Sequence, residues 1–197
     1  RIQRTNGIIT LVDLRTGNFG SRRTSGIDFM GRANFDAMGG TLSAGFDATL
    51  LLTKKEKLLP NLPYTNLRGV FSLSGDLGLK WKHNAYISYN KDDFTVTFSQ
   101  IYRGSYQNAG LPSLVNNISA TRPDYNPRVK PYHIYNMSMS QLIAEKFKIT
   151  LGVKNIFNTD PPFAITYDSN TGAGSSWEPR VADPRGRSFT VMAEVKF

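Results

Sequence analysis

The feature that most constrains this chain is a period of two in its hydropathy. Over residues 25–36 the odd positions hold Ile27, Phe29, Gly31, Ala33 and Phe35, while Asp28, Met30, Arg32, Asn34 and Asp36 fill the even ones. Residues two apart share one face of an extended chain, so this spacing predicts a strand with one oily and one wet side. After a turn at 38–40 the pattern restarts, with Leu42, Ala44, Phe46, Ala48, Leu50 and Leu52 alternating with Thr41, Ser43, Gly45, Asp47 and Thr49. The same rhythm runs through 84–89, 94–99, 135–140, 147–154 and 188–197, and a weaker first segment at 8–14 has no clear phase. About eight strands in an all-β, antiparallel arrangement are expected.

The connections alternate as well. Three are tight turns, at 38–40, 90–93 and 144–146, whereas 54–79, 104–130 and 159–186 are each about 25 residues long and 17–24 is shorter. Unstructured links of that length are uncommon in compact domains. In an up-and-down meander every long link falls at one end and every tight turn at the other.

Alternation shows that one face avoids water without showing what covers it. A soluble sandwich would turn the oily sides inward, whereas an outer-membrane barrel turns them out to lipid. A strand of about 12 residues tilted near 45 degrees covers roughly 28 Å, matching an apolar band of about 25 Å. The strand charges Asp28, Arg32, Asp36, Asp47, Lys148, Lys154, Glu194 and Lys196 all fall on the wet side. Rings stand at strand ends, with Phe94 and Phe147 beside tight turns, Phe197 at the terminus, and Tyr102, Tyr135 and Phe189 at the opposite ends; ring girdles are expected at both membrane interfaces. No apolar run approaches the roughly 20 residues of a spanning helix. Together these favour a transmembrane β-barrel in the outer membrane of a Gram-negative bacterium, with outer-membrane lipid as its surroundings.

The formal charge of +9 then acquires a place. Lys54, Lys55, Lys57, Arg68, Arg128 and many other cations lie at the long-link end. There they would face lipopolysaccharide phosphates or form a solvated rim. Being spread over separate links, they do not form the aromatic-lined groove of a nucleic-acid binder. The chain has no cysteine, and its two histidines, His83 and His133, stand near strand ends as interface or loop residues. No nucleophile elbow and no metal-ligand spacing is present, so no enzyme, metal or cofactor is expected.

The segment Gly152, Val153, Lys154, Asn155, Ile156, Phe157, Asn158, followed by Asp160, Pro161 and Pro162, and the segment Gly186 to Phe189 leading to Phe197, resemble the C-terminal end of TonB-dependent outer-membrane receptors. Residues 24–29, 81–84 and 102–106 resemble recurring segments of the same barrels. The resemblance implies that residues 1–197 are the C-terminal portion of a 22-stranded barrel, with the plug domain and TonB box not in this chain. It implies uptake of a scarce nutrient (a siderophore, vitamin or oligosaccharide) with energy from the TonB complex, which would act through the missing N-terminal part. It also implies that Phe189, Val191, Ala193, Val195 and Phe197 form the strand read by the outer-membrane assembly machinery. A self-contained eight-stranded barrel is the alternative. In the transport reading, Tyr106, Arg122, Tyr125, Trp177 and Arg180 are the residues that long links could present to a small-molecule ligand, through ring stacking and guanidinium pairing.

Overall fold

The computed structural model describes residues 2–12, 20–71, 76–108, 128–164, 166 and 176–195. They form an all-β, antiparallel structure: β1 (Ile2–Thr5), β2 (Ile8–Val12), β3 (Ser21–Ala37), β4 (Gly40–Lys57), β5 (Thr65–Asn66) and β6 (Trp81–Lys91). The remaining strands are β7 (Phe94–Arg103), β8 (Tyr106–Gln107), β9 (Arg128–Val129), β10 (Tyr132–Ile143), β11 (Phe147–Lys154) and β12 (Ser188–Val195). Seven long strands build one up-and-down sheet in the order β12-β11-β10-β7-β6-β4-β3, with β5 added to the end of β4. No helix of the structure is long and apolar enough to cross a membrane.

The tight turns lie where the spacing puts them, joining β3 to β4, β6 to β7 and β10 to β11 at one end of the sheet. Met38 and Gly39 both have positive φ (54° and 75°), the backbone of a primed turn that follows strand twist. The long links all return at the other end. The weak first segment is a separate hairpin of β1 and β2, turned by Asn6 and Gly7 at φ 52° and 81°.

Register puts the two faces where the alternation does. Phe29 faces Ala48, Ala44 faces Ile87, Phe98 faces Met137 and Leu151 faces Val191, all on the apolar side. The chief correction is a bulge: Ser25 pairs with Thr53 but Gly26 pairs with Leu51, so Leu52 has no partner in β3. The extra residue reverses the phase of β4 beyond it. Lys54 therefore lies on the polar side and is buried, although the expected run placed it at an exposed rim. Gly26 accommodates the bulge, since a Cβ there would stand 2.9 Å from the Leu50 carbonyl oxygen.

Both β3 and β4 also run well past the expected ends. The 18 residues of β4 extend roughly 60 Å at about 3.3 Å each, more than an apolar band needs. The buried core is small and sits at the long-link end, on the polar side. There Leu77, Val129, Val181 and Ala182 from the links meet Tyr132 and Ile134 of β10, with Ile101 of β7 against them. Among the described residues the apolar side carries no such cover, and Phe46, Ile87, Phe98, Leu151 and Val191 stay exposed.

Candidate functional site

The polar side is a lattice of paired groups. Arg32 on β3 meets Asp47 on β4 at 2.7 Å and lies 5.7 Å from the Tyr86 ring centroid. Tyr86 lies across Gly45, where a Cβ would fall 2.1 Å from the ring. Further along, Ser88 bonds Thr97 at 2.8 Å, Asn90 donates to Thr95 at 2.8 Å, and Lys148 pairs with Glu194 at 3.7 Å. Such a surface suits water rather than lipid, because it carries these ion pairs together with small hydroxylic side chains.

Over the link end of this face, the segment after 176 twice sets an acid two residues before an arginine, with proline between. The Glu178 carboxylate accepts from the Arg180 backbone N–H at 3.0 Å and from its guanidinium at 2.8 Å. Asp183 does the same for Arg185, at 3.1 and 3.0 Å, and also holds Lys154 Nζ at 2.6 Å. Burial works to raise the Glu178 carboxyl, but the Arg180 bonds outweigh it and hold it below the ordinary carboxylate value. The Arg185 and Lys154 bonds hold Asp183 well below the ordinary range.

The motif at 152–158 resolves into one clip between β11 and β12. Asn155 and Asn158 have φ 55° and 52°, a left-handed backbone that Asn tolerates better than most residues. Buried Asn155 donates to Thr159 O at 2.9 Å, accepts from Thr159 N at 2.8 Å, and gives its own N–H to Asn136 Oδ1 at 3.0 Å. The Asn158 side chain receives the Arg187 N–H at 2.8 Å. Gly186 leaves room for it, since a Cβ there would stand 2.8 Å from Asn158 Oδ1.

A cleft of about 550 Å³ opens among the links, lined by Asn66, Arg68, Gly69, Val70, Lys80, Ser105, Tyr106, Gln107 and Arg128. Three of these residues are cationic and none is acidic. Arg68 is fixed by donating to Leu52 O at 2.9 Å, and Arg128 by donating to the Ser105 hydroxyl at 2.9 Å. This lining can hold an anion; it contains no nucleophile paired with a base. Among the described residues, no three His, Asp or Glu side chains come together as a metal site.

Of the five residues read as ligand-facing, Arg122 and Tyr125 lie outside the described residues. Tyr106 is a core residue, 2% exposed, and its hydroxyl has no hydrogen-bond partner among the described residues. Burial pushes that phenol well above its ordinary value, and nearby Glu178 adds to the effect. Arg180 is exposed and engaged with Glu178, its guanidinium 5.6 Å from the Phe71 ring centroid, while Trp177 is half-buried. The structure thus draws Tyr106, Glu178 and Arg180 into one neighbourhood. The cleft residues Arg68, Lys80 and Arg128 were readable only as link cations, because nothing local in sequence joins them.

On the apolar side, a belt of rings crosses the sheet near the link end. Phe29 lies 5.9 Å from Trp81, His83 stacks on Tyr102 at 5.0 Å, Tyr102 on His133 at 6.3 Å, and Tyr135 meets Phe157 edge-on at 5.4 Å. Both histidines are thus members of this ring belt. At the tight-turn end, the Tyr89 hydroxyl donates to Met38 O at 3.0 Å. Of the strand read as an assembly signal, Phe189, Val191, Ala193 and Val195 share the exposed apolar face of β12, and Phe197 lies outside the described residues.

No protein-family model matches the chain and neither does any curated protein sequence. Among solved structures, the chain is similar in fold to a mutant of the ferric enterobactin receptor PfeA from Pseudomonas aeruginosa, with 14% identity and a TM-score of 0.52. The match covers 86% of this chain and 22% of that one, so the chain spans about a fifth of the receptor's length.

Proposed function

We propose that this chain is the C-terminal portion of the barrel of a TonB-dependent outer-membrane receptor, which takes up a scarce small-molecule nutrient with energy from the TonB complex. The observation that carries this reading is the division of one seven-stranded sheet into two media. The apolar side is bare and belted with rings, while the polar side is ion-paired and roofed by the long links. A soluble protein would cover the side that this one leaves bare. Lipid accepts that side, and it does not accept unpaired strand edges. The edges here belong to β3 and β12, so further strands on both sides would complete a larger barrel, in keeping with the fold likeness to a stretch of a receptor barrel.

In this reading the long links meet the outside of the cell. The cation-lined cleft favours an anionic nutrient or chelate, and Arg180, Trp177, Arg122 and Tyr125 are further candidates to meet it. Tyr106 supports the site from beneath. The exposed apolar row on β12, with Phe197, is the strand that the assembly machinery would recognise.

The test is uptake by the full-length receptor of labelled iron chelates, cobalamin and oligosaccharides, in cells with and without the TonB complex. Accumulation of one of them that disappears without the complex supports the reading. Accumulation of that solute that is indifferent to the complex contradicts energised transport.

A further inference from the structure

The bulge at Leu52 sorts the charges at the end of the β3–β4 hairpin onto two sides. On the polar side, Arg22 pairs with Glu56 at 2.7 Å and Lys54 with Asp76 at 3.9 Å, so both acids are matched there. On the other side, Arg23 stands directly opposite Lys55, and Ser21 opposite Lys57. Tyr64 lies between them, its ring 4.6 Å from the Arg23 guanidinium and 5.4 Å from Lys57 Nζ, with its hydroxyl 2.9 Å from that of Ser21. Like charges placed directly opposite are unfavourable in a sheet, and this side carries three cations with no acid.

Position makes the cluster informative. Trp81 of the ring belt faces Leu50, which faces Ile27. Arg23 lies four residues beyond Ile27, about 13 Å along the strand and roughly 10 Å along the membrane normal once tilt is included. On the lipid-facing side, that height is where phosphate groups lie, and an anion bridging Arg23 and Lys55 would turn their repulsion into two charge-assisted contacts.

We propose that Arg23, Lys55, Lys57 and Tyr64 form a docking site for the phosphate of a phosphorylated glycolipid in the leaflet at the long-link end. This rests on the membrane-barrel reading and adds a specific lipid partner to it. Tyr64 serves as a platform that holds the two flanking cations apart and aimed at the lipid. Lys54, despite its place in the Lys54–Lys55 pair, takes no part because the bulge turns it inward.

The test uses the full-length protein in phosphatidylcholine nanodiscs carrying a trace of fluorescent lipid A, either bis-phosphorylated or dephosphorylated. Wild type retains the phosphorylated form. The triple variant Arg23→Gln, Lys55→Gln, Lys57→Gln retains about tenfold less or lower, and Lys55→Gln alone about fivefold less. The paired variant Arg22→Gln, Glu56→Gln changes retention less than about twofold, since those side chains face the other side. Wild type binds dephosphorylated lipid A as weakly as the triple variant binds the phosphorylated form. Equal retention by wild type and folded Lys55→Gln and triple variants, or by wild type of both lipids, overturns the site. Heat-modifiable migration on gels monitors the barrel, so its loss in wild type would instead count against the membrane reading.

Discussion

Trp81 Nε1 donates to His83 Nδ1 at 2.9 Å, between two side chains that share the apolar side of β6. Because an indole N–H only donates, His83 is held as the tautomer with its proton on Nε2. That proton faces Gln100 Oε1 at 3.0 Å, and Gln100 Nε2 donates to the Tyr135 hydroxyl at 2.9 Å. The polar tips of the ring belt thus satisfy one another across three strands while the ring faces stay oily. In the proposed membrane reading, such a belt suits the boundary between headgroups and hydrocarbon.

The belt places Trp81 at a definite depth. In lipid vesicles, with Trp177→Phe removing the other indole, Trp81 fluorescence should be quenched more strongly by bromines near the headgroup than by bromines at the chain ends. Quenching by aqueous iodide alone would place the belt in water.

Gly45 is needed by Tyr86. Gly45→Ala drives a methyl into the ring and should lower unfolding stability by about 1–3 kcal/mol. Adding Tyr86→Ser should restore most of that loss, although Tyr86→Ser alone removes the Arg32 contact and destabilises mildly. Denaturant titration of the four proteins forms the cycle, and simple additivity would deny the contact.

Asn155 combines a left-handed backbone with three hydrogen bonds. Asn155→Ala should cost about 2–4 kcal/mol, and Asn155→Gly should recover roughly 1 kcal/mol of it by relieving the backbone. Hydrogen exchange should show protection lost first at Thr159 and at Asn155 itself.

Tyr106 buries a hydroxyl that no described residue satisfies, so removing the oxygen while keeping the ring should be neutral or stabilise by about 1 kcal/mol. Tyr106→Ala should instead cost about 3–5 kcal/mol through the cavity. The raised phenol has a pH consequence. Above the ordinary tyrosine value of about 10, the unfolded chain loses a proton that the folded one keeps, so stability falls with rising pH. In Tyr106→Phe this part of the alkaline loss should vanish in pH-dependent unfolding.

What could be read from the sequence is what a two-sided sheet enforces. Residues 147–154 form a strand to the residue, since Phe147, Ile149, Leu151 and Val153 alternate without interruption. The tight turns at 38–40, 90–93 and 144–146 are marked by breaks in the same rhythm. Beyond the apolar band the rhythm stops, so the extension of β3 through Arg22 and Arg23 carried no signal. The bulge was hidden for a related reason: Leu50, Leu51 and Leu52 are identical, so a phase change among them leaves no trace.

The site was less legible because its parts come from separate links. Asn6-Gly7 is a hairpin-turn signal that could have divided the weak first segment, although the flanking residues have no phase to confirm it. The repeated acid-proline-arginine spacing at 178–180 and 183–185 was a local signal that could have found the two carboxylate clips. No comparable signal brings Arg68, Lys80 and Arg128 to one cleft, or shows that Tyr106 is buried rather than exposed on its link.

This chain has no cysteine, so, with any cysteine elsewhere in the full-length protein replaced by serine, the orientation of the sheet can be tested one position at a time. Single cysteines carrying spin labels at Phe46, Leu151 and Val191, and at their neighbours Asp47, Gly152 and Thr190, would be compared in the full-length protein in lipid bilayers. The account predicts that the first three are relaxed by oxygen dissolved in lipid and the second three by a water-soluble nickel chelate. A reversed pattern, or protection of Phe46, Leu151 and Val191 from both reagents within a protein core, would contradict it.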